Sequence, residues 1–293
     1  MSATVEGERP IGIFDSGLGG LTVARSIATT LPHESIYYFG DTLRCPYGTR
    51  SKDEVRSFAI QAARWLARQR VKIIVIACNT ATAAALRVVQ QLLSVPVIGV
   101  IVPGARAAIH STTTRKVGVL ATELTVRSGA YTRAIQDMDA GVEVYGCPAP
   151  SFVEIVEREL ATGAHLQDRW LENGDVFDTP EIREEVGRVI LPLSNREVDT
   201  VVLGCTHFPL LAGPIRVALG EGVRVVSSAE ETTSELVDIL RRRNQLASEE
   251  SEPQHRFATT SENIAEFAAA GSFIFGQPLK SIEHVSLEEL AAF

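Results

Sequence analysis

Basic residues are scarce in this chain of 293 amino acids. Lysine and arginine together number 28 against 36 aspartates and glutamates, which gives a net charge of −8 at pH 7. A chain with this balance lacks the positive surface that follows a phosphate backbone, so we do not expect nucleic acid as a partner. The one dense basic run, at 241–243, is typical of a solvated helix end.

Long apolar runs are also missing, and cysteines are few. No run reaches the roughly 20 apolar residues of a membrane-spanning helix, and the first ten residues are too polar for a secretory signal. The cysteines, Cys45, Cys78, Cys147 and Cys205, fit neither a CxxC redox motif nor paired zinc ligands. We therefore expect reduced thiols in a cytoplasmic protein, with no membrane partner and no bound metal.

Eight short apolar runs alternate with helix-length segments along the chain. This alternation predicts βαβ units and an α/β fold with mostly parallel sheets. Helices are predicted at 52–70 and 81–93 from apolar spacing and helix-forming composition. The predicted strands are 11–14, 36–39, 73–76, 96–100, 117–120, 142–145, 200–203 and 223–226.

The first half of the chain resembles the second. IGIFDS at 11–16 matches VGVLAT at 117–122 at an offset of 106 residues, whereas VKIIVIAC at 71–78 matches VDTVVLGC at 198–205 at an offset of 127. The second copy therefore carries 21 extra residues, which we place in the polar stretch 163–180. The repeat predicts two pseudo-symmetric α/β lobes, with the active site in the cleft between them and Cys78 and Cys205 at equivalent positions.

The two lobes need not be consecutive in sequence. The chain beyond Cys205 holds one more predicted strand and a mainly helical pattern that could return to complete the first lobe. We therefore assign 1–101 and 212–293 to the first lobe and 102–211 to the second.

Polar side chains follow several predicted strands at their carboxyl ends, where open parallel sheets bind ligands. A helix predicted after each cysteine, near Thr80 and near Pro209, would favour a thiolate and an anionic substrate group. Two thiols that face one carbon could move a proton from one side of it to the other. The residues at these strand ends are Asp15, Ser16, Cys78, Asn79, Thr80, Thr122, Cys205, Thr206 and His207.

Each candidate also has a structural interpretation. Cys45 and Cys147 lack matched strand ends, and we expect them to be inert packing residues. Asp15 opens DSGLGG, which lacks both GxGxxG and the GK[ST] ending of a P-loop, so it either faces a small ligand or caps the next helix. His207 is a base or partner for Cys205, or it makes a local backbone bond.

Five motifs together resemble the glutamate racemase family, over about residues 11–240. They are FDSGLGG at 14–20, GDTLRCPYG at 40–48, ACNTA at 77–81, PVIG at 96–99 and GCTHFPL at 204–210. The resemblance implies cofactor-independent interconversion of L- and D-glutamate, which supplies the D-isomer for peptidoglycan. It implies Cys78 and Cys205 as catalytic acid and base, with Asp15 beside Cys78 and His207 beside Cys205.

The same resemblance implies further site residues. The family's CPxFVPLVE stretch corresponds to CPAPSFVEIVE at 147–157, which is two residues longer, and its last glutamate implies that Glu157 assists Cys205. On the residue pattern alone, Glu157 would belong to a solvated helix face. Substrate binding is implied for Asp15, Ser16, Pro46, Tyr47, Gly48, Asn79, Thr80, Thr122, Thr206 and His207.

Three alternatives stay open on the sequence. An aspartate racemase would use the same two thiols with a different pocket. A pyridoxal-phosphate racemase needs a Schiff-base lysine, and of Lys52, Lys72, Lys116 and Lys280 the middle two lie at strand beginnings. A two-lobed binding module would not need the cysteines. We expect glutamate as the small-molecule substrate and a homodimer, and leave open the gyrase inhibition known for some family members.

Overall fold

A computed structural model describes residues 6–162, 166 and 175–293 of the chain. The predicted insertion at 163–180 therefore lies largely outside the described residues. The described strands are β1 (Ile11–Asp15), β2 (Ile36–Gly40), β3 (Ile73–Ile76), β4 (Val97–Gly99), β5 (Lys116–Ala121), β6 (Glu143–Pro148), β7 (Thr200–Gly204), β8 (Arg224–Ser227), β9 (Arg256–Thr259) and β10 (Ile282–His284).

Helices connect the strands and cover the sheets. They are α1 (Leu21–Thr30), α2 (Lys52–Arg68), α3 (Asn79–Leu92), α4 (Ile101–Ser111), α5 (Glu123–Ser128), α6 (Ala130–Met138), α7 (Pro150–Leu160), α8 (Pro180–Ser194), α9 (Ala212–Leu219), α10 (Ser228–Arg242), α11 (Ile264–Phe275) and α12 (Leu287–Ala291). Short 3-10 turns occupy Thr42–Arg44, Tyr47–Thr49 and Phe208–Leu211. Among the described residues, none of the helices combines the length and the apolar character needed to cross a membrane.

The strands form two parallel sheets. The first has the order β10-β9-β2-β1-β3-β4, and the second has the order β6-β5-β7-β8. The block β2-β1-β3-β4 and the whole second sheet repeat one strand order, and every described pairing is parallel. The predicted α/β architecture with two related lobes is confirmed, as are all eight predicted strands.

Two strands were not predicted from the sequence. β9 pairs with β2, with Phe257 opposite Tyr38, and β10 extends the sheet beyond β9. Their sequences, RFAT and IEH, are four and three residues long and lack a β-branched apolar run. A segment this short acquires its strand geometry from the neighbour with which it pairs, so local pattern does not reveal it.

The predicted division of the chain is wrong for β8. This strand pairs with β7, with Val201 opposite Val225, so residues 224–227 belong to the second sheet although we assigned them to the first lobe. The following helix, α10, packs against both α4 and α1. At its contact with α1, Ser26 Oγ lies 2.9 Å from Thr233 Oγ1.

Local sequence explains where the central helices begin. Ser51 starts α2 with a capping box, because its hydroxyl accepts from the Glu54 amide while the Glu54 carboxylate accepts from the Ser51 amide. Cys78 is the N-cap of α3. Both helices then bury alanine-rich faces against the first sheet, and this rigid layer fixes the strand ends that carry the candidate site.

Candidate active site

The strand ends of the two sheets enclose a small pocket. Its cavity volume is about 20 Å³, close to the space of a single water molecule. The pocket combines residues from both lobes, and both predicted catalytic thiols reach it. It is lined by Ser16, Cys45, Pro46, Tyr47, Gly48, Cys78, Asn79, Thr80, Thr122, Val153, Cys205, Thr206 and His207.

Cys78 lies at the positive end of α3. Its sulfur accepts a hydrogen bond from the Ala81 amide at 3.4 Å and lies 3.6 Å from Ser16 Oγ. Burial, and then the negative charge of Asp15, raise the pKa of this thiol to about 12, although the Ala81 and Ser16 hydrogen bonds oppose the shift. Cys78 therefore rests as a neutral thiol, with donors already placed to receive a thiolate.

Cys205 follows β7 and has a side-chain partner instead. Its sulfur lies 3.7 Å from His207 Nδ1, and His207 Nε2 lies 2.5 Å from Glu157 Oε1. Burial lowers the pKa of His207, but the hydrogen bonds to Cys205 and Glu157 outweigh it and leave this pKa well above its ordinary value. This direction favours the imidazolium form of His207, in which both ring nitrogens are donors.

Glu157 completes this series of contacts from the second lobe. Burial raises the pKa of Glu157, but the hydrogen bond and the charge of His207 outweigh burial and hold this pKa below its usual range. A carboxylate and an imidazolium therefore form an ion pair behind Cys205, although the residue pattern alone had favoured a solvated face for Glu157.

The helix predicted near Pro209 is present, but its first turn is a 3-10 turn and not an α-helical one. A 3-10 turn covers Phe208–Leu211, and α9 begins only at Ala212. In an α-helix the amide of residue 209 would bond to the carbonyl of residue 205, but Pro209 has no N–H. The Phe208 amide bonds to the Cys205 carbonyl instead, at 3.2 Å, whereas the Thr82 amide bonds to the Cys78 carbonyl at 2.9 Å in α3.

Asp15 is fully buried behind the pocket. Its carboxylate accepts from the Gly17 amide at 3.0 Å and from Thr206 Oγ1 at 3.3 Å, so it links the two lobes. Burial raises its pKa, while the charge of His207 acts in the opposite direction. Asp15 does not cap α1, since no side-chain bond caps that helix.

Three polar residues that line the pocket, Asn79, Thr80 and Thr122, lie at the starts of two helices, α3 and α5. Asn79 Oδ1 accepts from the Tyr131 hydroxyl at 2.7 Å, while the buried Asn79 Nδ2 has no protein partner among the described residues. Thr80 Oγ1 and Thr122 Oγ1 lie 2.9 Å apart and belong to different lobes. A buried amide without a partner costs free energy unless a ligand accepts from it.

The loop that carries Pro46, Tyr47 and Gly48 is fixed by hydrogen bonds to the buried Asp41. The Tyr47 hydroxyl donates to Asp41, a fully buried carboxylate that also accepts from Arg44 Nε at 2.7 Å and from Thr260 Oγ1 at 3.2 Å. This loop therefore rests on the end of β9, which the sequence did not predict. The role of Asp41 was missed for the same reason.

Of the two cysteines that we had expected to be inert, Cys147 lies outside the pocket and Cys45 lines it. Cys147 is buried and donates to the Val189 carbonyl at 3.3 Å, outside the pocket. Cys45 lines the pocket, with its sulfur 3.9 Å from Glu157 Oε1. Its place beside Pro46 in GDTLRCPYG was the available signal, and Val153 was also missed.

Neither a metal nor a Schiff-base site occurs among the described residues near this pocket. No group of three or more histidine, cysteine, aspartate or glutamate side chains in the described part of the chain could hold a metal. Lys72 is buried with Glu34 at the start of β3, and Lys116 pairs with Glu197 at 2.9 Å. Both lysines lie at the opposite strand ends from the thiols.

Comparisons with known proteins agree with this geometry. The model of the Asp/Glu/Hydantoin racemase family matches residues 16–236. A glutamate racemase of Listeria monocytogenes is 42% identical over 280 residues, covering 96% of this chain and 99% of the relative.

Solved structures show the same relationship. A glutamate racemase isoform from Bacillus anthracis superimposes with a TM-score of 0.85 at 42% identity, covering 95% of this chain and 98% of that one. The Francisella tularensis glutamate racemase, solved in complex with D-glutamate, has a TM-score of 0.85 at 30% identity and covers 98% of this chain and 100% of that one. The chain therefore belongs to the Asp/Glu/Hydantoin racemase family of isomerases.

Proposed function

We propose that this protein interconverts L- and D-glutamate and supplies D-glutamate for peptidoglycan. The observation that carries the proposal is the placement of Cys78 and Cys205 at equivalent strand ends in one shared pocket. The relatives named above are glutamate racemases, and one was solved with D-glutamate. Cytoplasmic location and a homodimer remain proposals, which cell fractionation and light scattering of the purified protein would test.

The proposed reaction is a proton transfer through the substrate α-carbon. In one direction the Cys205 thiolate, paired with the His207 imidazolium, removes the α-proton while the Cys78 thiol donates a proton to the opposite face. In the other direction the two thiols exchange roles. The Ala81 amide and Ser16 hydroxyl then stabilise the Cys78 thiolate, as His207 stabilises the Cys205 thiolate.

The surroundings suit a small polar substrate. Asn79 Nδ2 is free to donate to a carboxylate, and the Thr80 and Thr122 hydroxyls can reorient toward substrate oxygens. Exclusion of water strengthens each of these contacts at the reacting carbon. A cavity of about 20 Å³ is too small for glutamate, so we expect the two lobes to move apart as substrate enters.

Exchange of the α-proton in deuterated water tests the proposal. We expect wild-type protein to racemise L-glutamate with deuterium incorporation and to leave L-aspartate unchanged. Cys78→Ala and Cys205→Ala should each lose racemisation, and each should retain exchange only with the enantiomer that faces its remaining thiol. Turnover of aspartate alone would contradict the glutamate assignment, and full racemisation by either variant would contradict the two-thiol mechanism.

A further inference from the structure

A third thiol contacts the ion pair that supports Cys205. Cys45 Sγ lies 3.9 Å from Glu157 Oε1, and the same oxygen lies 2.5 Å from His207 Nε2. Cys45 comes from the loop between β2 and α2, whereas Glu157 comes from α7 in the second lobe. One carboxylate oxygen therefore receives donors from both lobes.

The electrostatics of Cys45 make it a donor and not a nucleophile. Burial, and then the negative charges of Glu157 and Asp15, raise the pKa of this thiol well above its ordinary value. The proton therefore stays on sulfur at neutral pH, where it is available to the carboxylate. Gly17 leaves the room for this contact, because a Cβ there would lie 3.2 Å from Cys45 Sγ and 3.7 Å from Glu157 Oε1.

We propose that Cys45 is a positioning residue for the Glu157–His207 pair. Its S–H donates to Oε1 and holds the carboxylate where that oxygen accepts Nε2–H, so that Nδ1–H of the same imidazolium stays directed at Cys205. The inference rests on the proposed function, in which His207 assists the Cys205 thiol. It adds a residue from the first lobe to machinery that otherwise belongs to the second.

The other charged groups near Glu157 set the background for a pH test. After burial, His207 has the largest effect on the pKa of the Glu157 carboxylate, and the buried Tyr38 hydroxyl also interacts with this carboxylate. The acidic groups that interact with Cys45 from the surrounding elements are Asp15, Cys78, Cys205 and Glu157 itself. Because substitution of Cys45 leaves all of these in place, a change in the titration of Glu157 reports the lost thiol donor.

The expected shift has a defined sign. A hydrogen bond to a carboxylate favours its charged form, so removal of the Cys45 donor raises the pKa of Glu157. The acid limb of kcat/KM for racemisation should then move to higher pH by about 0.5 unit, since a thiol is a weaker donor than an amide or hydroxyl.

The experiment compares Cys45→Val, which keeps the bulk and removes the donor, with Cys45→Ser, which keeps a donor. Glu157 is 38% exposed at its side chain and can shift to meet the shorter serine hydroxyl. Cys147→Val is the matched control, since Cys147 lies outside the pocket. We expect the acid limb to move to higher pH in Cys45→Val, to stay at the wild-type position in Cys147→Val, and not to move to higher pH in Cys45→Ser, because the serine hydroxyl is at least as strong a donor as the thiol.

A second measurement keeps this test separate from the proposed function. Titration of the Glu157 carboxyl carbon by NMR needs no turnover, and its midpoint should rise in Cys45→Val alone. Equal shifts in the valine and serine variants, or no shift in either, would overturn the inference. If wild-type protein failed to racemise glutamate while the NMR midpoint still rose, the proposed function would fail and the contact would stand.

Discussion

Gly19 lies where the first lobe packs closely against Thr206 and His207 of the second lobe at the active site. A Cβ on this residue would lie 2.5 Å from Thr206 Oγ1 and 2.7 Å from His207 Nδ1. The backbone of Gly19 is not in the left-handed region that disfavours alanine, so the conflict is purely steric. Neither neighbour can give way freely, because Thr206 is bonded to Asp15 and His207 to Glu157.

Gly19→Ala should therefore separate the two halves of the site. Contacts of 2.5 and 2.7 Å fall about 1 Å short of normal van der Waals separation. A displacement of about 1 Å at reacting groups costs roughly 100-fold in rate, while overpacking costs about 1–3 kcal/mol of unfolding free energy. We expect kcat/KM for L-glutamate, followed by circular dichroism of the product, to fall about 100-fold while the protein stays folded.

Gly187→Ala is the matched control. A Cβ at Gly187 meets nothing within 4 Å, and the residue lies inside α8. Alanine there should leave turnover unchanged and stabilise the helix by about 0.5–1 kcal/mol, measured by urea unfolding. Wild-type turnover in Gly19→Ala would refute the claim that close approach of His207 and the first lobe is needed for catalysis.

Four further outcomes can be measured with the same assays. Cys78→Ser should lower kcat by about 10²–10⁴-fold, because a serine hydroxyl is a far weaker acid than a thiol; near-normal turnover would contradict a proton-transfer role. Glu157→Gln should remove the acid limb that Glu157 contributes, which lies at a pH below the carboxylate's ordinary pKa because this pKa is lowered in the fold; an unchanged limb would assign it to another group. Asp41→Asn should cost about 1–3 kcal/mol in thermal unfolding and raise KM, because the amide has one acceptor oxygen where the carboxylate has two, and its NH2 group must then face either Tyr47 and Arg44 or Thr260, which are all donors; an unchanged KM would show that the loop keeps its position without Asp41. For every variant, kcat/KM should change equally in both directions, since the two enantiomers have equal free energy, and unequal changes would mean that a different product forms.

The sequence predicted the strands that are buried on both faces. β1 and β3 are apolar runs, and their ends locate Asp15 and Cys78 directly. β9 could not be predicted from the sequence, because RFAT becomes a strand only through pairing with β2. The support that Thr260 gives to Asp41 depends on that pairing and was missed with it.

The site residues differ in how far local pattern could identify them. Cys78 and Cys205 stand out because the repeat places them in register. Glu157 is one of several acidic residues on α7, and only the family resemblance singled it out. Cys45 contacts Glu157 across 112 positions of sequence, and no local pattern reports a contact between a loop and a helix of different lobes.

Pro209 makes the surroundings of the two catalytic cysteines differ although the fold is duplicated; we call the surroundings of Cys78 and of Cys205 the two half-sites. The proline nitrogen of residue 209 has no N–H, which prevents an α-helical turn at Cys205. Cys78 is therefore stabilised by a backbone amide, which does not titrate, whereas Cys205 is stabilised by the His207 imidazole, which does. Ligands that mimic the carbanion from one face or the other should then differ in how their affinity follows pH. A mirror-image pair of inhibitors would thus distinguish the two half-sites without any mutation.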